Sequence, residues 1–156
     1  KTSLREVLTM FRKIIATAPT WITVPVRIAL GIIFIAHGAQ KVFGYWGGPG
    51  FNTIMQFPPP FAFMRPGWLW MAAASFAELI GGILVLAGLL TRVGAFLIAC
   101  VMLTAMLGVH WGSFFINNRG IEFTLALLGM AMALILAGGG QASVDRLLMN
   151  TSGRRR

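Results

Sequence analysis

The sequence predicts an all-α protein: a four-helix transmembrane bundle with both termini cytoplasmic and an N-terminal interfacial amphipathic helix. Three observations lead there. Of the 156 residues, 57% are hydrophobic, more than soluble domains carry. Uncharged apolar stretches recur at 28–36, 68–77, 79–91, 93–109 and 123–142. Basic residues gather at alternate ends of these stretches. A soluble helical core is excluded, because so small a chain has too little interior to hide that much apolar surface.

Residues 1–19 are predicted as a cytoplasmic or interfacial segment. Apolar side chains fall at Leu4, Val7, Leu8, Phe11, Ile14 and Ile15, with Arg5, Glu6, Arg12 and Lys13 on other faces. That spacing suits a short helix lying on the membrane surface. Pro19 and Pro25 redirect the chain into the first span, proline being tolerated in a first helical turn. The span is too long for a signal-peptide core, and no cleavage site closes it.

Residues 20–148 are predicted as the membrane domain. A crossing takes roughly 20 residues for about 30 Å of hydrocarbon, which places spans at about 22–43, 68–90, 93–115 and 120–139. The longest connection, 44–67, contains Gly47-Gly48-Pro49-Gly50 and Pro58-Pro59-Pro60, both helix-breaking. Tyr45, Trp46, Trp68 and Trp70 flank it as an aromatic belt would, so it is read as a lid over the outer end or an interfacial cap. Thr91-Arg92 is a tight turn that makes the second and third spans antiparallel neighbours. Gly31, Gly38, Gly81, Gly82, Gly94 and Gly129 permit close helix approach. Residues 149–156 form a polar, basic tail with little reason to fold.

The net charge of +9 does not point to nucleic acid. Lys1, Arg5, Arg12, Lys13, Arg92, Arg146 and Arg154–Arg156 fall at one set of span ends; Lys41, Arg65 and Arg119 fall at the other. The richer side is cytoplasmic by the positive-inside rule, and the headgroups of the lipid bilayer are sufficient partners for it. The location expected is a bacterial plasma (inner) membrane. Cys100, the one cysteine, is read as a small packed apolar side chain.

Ionisable groups inside apolar spans are costly and need a partner or a polar pocket. From a rise of about 1.5 Å per residue, Arg27 and Glu78 differ in depth by about one turn and a half, and are expected to pair between the first two spans. His37, Gln40, Lys41, His110 and Glu122 fall in the outer half. The histidines admit several readings: satisfied core residues, donors in a pocket for a quinone headgroup with Glu122 or Glu78 carrying protons, axial haem ligands, or a metal site with Glu122. Haem is disfavoured because nothing else marks a haem cleft, and no metal is assigned. Lys41 either snorkels to the headgroups or pairs with Glu122. The candidate ligand or proton site is therefore His37, Gln40, Lys41, Glu78, His110 and Glu122, with no catalytic residue assigned.

Arg27-Ile28-Ala29-Leu30-Gly31, the run 34–44 containing His37-Gly38-Ala39-Gln40-Lys41, and Gly47-Gly48-Pro49-Gly50 resemble the opening of a DoxX-family membrane protein. Ala77-Glu78-Leu79-Ile80-Gly81-Gly82, the run 88–92 and His110 are similar to later family signatures. The resemblance covers roughly 26–148. It implies a four-helix integral membrane protein; some related proteins are quinone-reducing subunits of thiosulfate oxidation, and others are membrane partners of oxidative-stress enzymes. The function expected is a membrane subunit that supports quinone-linked electron transfer or anchors a redox partner, not a stand-alone enzyme. Other membrane subunits of a redox complex are the protein partners it implies. Two alternatives stay open: a non-catalytic assembly subunit of a larger membrane complex, and a small-solute or proton transporter.

Overall fold

The computed structural model describes residues 4–153, and the basic residues Lys1 and Arg154–Arg156 lie outside it. Seven α-helices run in order among the described residues: α1 Leu4–Ile14, α2 Thr23–Phe43, α3 Gly50–Ile54, α4 Gly67–Ala87, α5 Thr91–Gly108, α6 Glu122–Ala137 and α7 Val144–Gly153. The fold is all-α, but the expected four spans are not there. Three helices, α2, α4 and α5, are long and apolar enough to cross a membrane. The fourth predicted span shortens to α6, 16 residues, about 24 Å at the α-helical rise. Gly138 ends it with φ 73, and residues 109–121 fold back as a loop before it begins.

That loop also shortens the third span. The chain leaves α5 at Gly108, and the Val109 and His110 amides both bond to the Ala105 carbonyl. The second span stops early as well. Gly88, at φ 68, turns the chain left-handed, and the Leu89 amide reaches back to Leu84, a pairing that satisfies the last helical carbonyls. In the N-terminal segment, Val7 and Ile14 are exposed and Ile15 is buried; the side chains of Leu4, Arg5, Leu8 and Phe11 fall outside the described set. The expected unfolded tail is corrected over part of its length, since α7 continues through Asn150 to Gly153.

Glycine sets the distance between α2 and α4. A Cβ added at Gly38 would stand 2.6 Å from the Leu79 backbone, and one at Gly82 would stand 2.7 Å from the Ile35 amide. Backbones this close gain dispersion contacts that lipid cannot replace. The core lies between α2, α4, α5 and α6: Leu30, Phe34, Val85, Ile98, Leu127 and Leu134. Ile32, Ile80, Ile83, Phe96, Leu103 and Leu136 point outward and are exposed, a surface that suits hydrocarbon rather than water.

One end of the bundle is held by a polar node. Arg27 is 4% exposed. Its Nε donates to Val85 O (2.9 Å), one terminal nitrogen to Leu86 O (2.8 Å), and the other to Gly139 O (2.9 Å) and Ala142 O (2.6 Å). Asp145, 1% exposed, accepts from the Leu90 and Thr91 amides and the Thr91 hydroxyl. It thus caps the N-terminus of α5 from the far end of the sequence. Arg92 donates to Ala16 O and Leu136 O, and the Gly140 amide donates to Thr17 Oγ1. The start of α2, the α4–α5 turn and the segment after α6 are gathered at this end.

Replacing Gly38 with Val should force α2 away from α4 and destabilise the fold by roughly 1–3 kcal/mol or more of overpacking, read as a lower melting temperature of the detergent-solubilised protein. Gly129→Ala is the control: a Cβ there meets nothing within 4 Å, so its melting curve should be unchanged.

Candidate functional site

At the other end of the bundle, two of the predicted residues meet. The antiparallel α2–α4 contact brings Lys41, on the last turn of α2, level with the middle of α4. Lys41 Nζ donates to Glu78 Oε1 at 2.5 Å. The Glu78 side chain is 3% exposed and that of Lys41 28%. Glu78 Oε2 is buried and has no hydrogen-bond partner among the described residues. An unpaired buried acceptor is costly, and a carboxylate bonded to an ammonium accepts through both oxygens.

Lys41 and Glu78 line a cavity of about 300 Å³ between α4 and α5, at the small end of ligand-pocket sizes. Its walls are apolar: Trp70, Met71, Leu97 and Val101, with Pro60 and Met64 from the 44–67 loop. The loop thereby contributes to the enclosure. Its short helix α3 buries Ile54 and rests Phe51 against Phe76, ring centroids 5.5 Å apart. Thr104 also lines the cavity; its hydroxyl donates to Cys100 O at 2.8 Å, which leaves its lone pairs free to accept. A larger groove of about 810 Å³ along 58–67 holds Arg65 as its one charged lining residue and lies apart from this pair.

The remaining predicted residues do not join this site. Arg27 and Glu78 are not partners: Arg27 donates to four backbone carbonyls, and the acidic group acting on it is Asp145. The pairing of Lys41 with Glu122 is likewise replaced by Lys41–Glu78. His37 is exposed on α2, and its ring makes no hydrogen bond to the described residues. Gln40 supports the loop, its carbonyl accepting from Gly44 while Gly48 packs against it. His110 Nδ1 lies 2.7 Å from Arg119 O, and Glu122 Oε1 accepts from the Ile116 amide at 2.6 Å; both hold the 109–121 loop. No group of three metal-ligating side chains forms among the described residues. Cys100 is exposed and lines the cavity rather than packing in the core.

Sequence reasoning missed Asp145 and Thr104. The first was signalled by rarity, being one of four acidic residues beside the glycine run 138–140. Thr104 carried no such signal.

Residues 7–111 match the DoxX family, a span that includes α2, α4, α5 and both members of the ion pair. The chain belongs to the DoxX family. The match begins earlier and ends sooner than the sequence motifs indicated, and it leaves out Glu122 and Asp145. This DoxX chain is 33% identical to a Bacillus subtilis (strain 168) protein named "Putative oxidoreductase CatD" over 112 residues, 72% of this chain and 77% of that one. It is 32% identical to "Inner membrane protein YqjF" of Escherichia coli (strain K12) over 123 residues, 78% of this chain and 88% of that one. No solved structure gives a significant match. The chain is a multi-spanning membrane protein of this redox-associated family.

Lys41→Met should strand Glu78 and lower stability by about 3 kcal/mol, at the low end for breaking a buried pair because Lys41 is partly exposed. Thermal melting should show Lys41→Met/Glu78→Gln recovering much of that loss. Arg27→Met/Glu78→Gln should be no better than Arg27→Met alone.

Proposed function

We propose that this DoxX protein is a membrane subunit supporting quinone-linked electron transfer, with the Lys41–Glu78 cavity as the headgroup pocket. The observation that carries this reading is Glu78 Oε2, a buried acceptor without a partner among the described residues, on a residue that lines an apolar cavity. The volume fits a ring headgroup and leaves an isoprenoid tail to the lipid. Met64 and Met71 are flexible enough to yield to an entering ring. A bound quinone supplies a couple that takes up two electrons and two protons. The chain's own residues bind and orient the ring: Lys41 donates to a ring oxygen, Glu78 Oε2 is the acceptor for a ring hydroxyl, and the apolar walls exclude water. The name of the Bacillus subtilis relative supports a redox role.

One cysteine allows no dithiol within the chain, so in this reading electrons pass through a partner subunit. Ala126, Gly129 and Ala133 on α6 are exposed and recur at helical spacing, a surface suited to close approach by another membrane helix. The reading places the protein in a bacterial inner membrane, as the name of the Escherichia coli relative states for that protein. The end bearing Arg92 and Arg146 is assigned to the cytoplasm by its positive charge.

Protein extracted from its native membranes in mild detergent should carry quinone at near-equal molar amount. Met71→Trp, which fills the cavity, should abolish this without changing the melting temperature by more than a few degrees. Quinone-free natural protein of full stability would refute the reading. On native gels, Gly129→Leu should shift the particle from a larger complex to the mass of the free chain, with quinone content retained.

A further inference from the structure

The pocket's polar atoms discriminate between the two redox forms of a ring ligand, an inference that rests on the quinone reading above. Glu78 Oε1 is taken by Lys41, and Oε2 can be satisfied only by a hydrogen-bond donor. Thr104 Oγ1, whose proton is committed to Cys100 O, is a second acceptor lining the same cavity. A quinone carbonyl accepts and cannot donate. It could take a bond from Lys41, but it would leave Oε2 buried and unpaired. A hydroquinone hydroxyl does both, accepting from Lys41 Nζ while donating to Oε2. We infer that the cavity beside Lys41 and Glu78 selects the reduced, hydroxyl-bearing form, a hydroquinone, over the oxidised quinone.

The size of the preference follows from the cost of one buried unsatisfied acceptor, about tenfold in affinity. Reduction changes neither the ring's shape nor its tail, so the apolar walls contribute almost equally to both forms. The selection falls to the polar edge, where a group that must pair discriminates more sharply than an apolar wall does.

The test uses the full-length protein in lipid nanodiscs under argon, with a fully ring-substituted benzoquinone bearing a short alkyl tail, and its hydroquinone. Full substitution prevents addition of the Cys100 thiol to the ring. Binding is read by equilibrium dialysis and, independently, by protection of Cys100, which lines the cavity, against a membrane-permeant maleimide. The hydroquinone should bind about tenfold tighter and protect Cys100 at correspondingly lower concentration. In Glu78→Gln, where an amide N–H can replace the acceptor while the amide oxygen still faces Lys41, the ratio should fall to unity or invert. Equal or tighter binding of the quinone by the unaltered protein overturns the inference and leaves the quinone pocket standing. An unchanged ratio in Glu78→Gln overturns it too. Binding of neither form, with no protection of Cys100, overturns the pocket itself.

Discussion

The buried guanidinium of Arg27 is the interaction on which the bundle depends. Four of its five N–H groups reach carbonyls at the end of α4 and in the segment after α6. Helix C-termini leave carbonyls without intrahelical partners, and in lipid no water is there to satisfy them. One side chain from α2 resolves that problem for two other segments at once. Gly88 is part of the same solution: a Cβ there would stand 2.6 Å from Arg27 Cζ and 2.7 Å from Ser143 Cβ. Asp145 supplies the negative charge and spends its own oxygens on the start of α5.

This division of labour is what leaves Glu78 available. Had Arg27 reached Glu78, both charges would have been consumed as a brace, and the middle of α4 would present no polar group to a ligand. Instead the cation facing Glu78 is Lys41, a point charge that engages one oxygen at 2.5 Å and leaves the other free. A guanidinium fork would have engaged both. The chemistry of the cavity therefore follows from which cation the helix register delivers to it.

Much of the protein was legible in its residues. Apolar run lengths located α2 and α4 to within a few residues and the start of α5, though not its end, because hydrocarbon thickness dictates the length of a crossing helix. Small residues at Gly31, Gly38 and Gly82 marked the close α2–α4 contact. Depth arithmetic grouped Lys41 with His110 and Glu122, yet depth along the membrane normal says nothing about rotation around a helix axis. His37 and Lys41 lie four residues apart, but His37 is exposed whereas Lys41 reaches Glu78. The loop 109–121 was hidden inside an apolar stretch, since Trp111, Phe114 and Phe115 read as span residues while their backbone turns back.

The sequence by itself determined that this is an all-helical membrane protein of the DoxX family with Glu78 buried in its second long helix. Composition, run length and motif report on single helices, where hydrophobic transfer dominates. Only the tertiary structure decided that the fourth apolar helix is a short one, that Arg27 serves backbone carbonyls, and that Lys41 is Glu78's partner. Those outcomes turn on helix register and rotation to within a few ångströms, and on loop closures such as the Asp145 cap, which joins residues 54 positions apart.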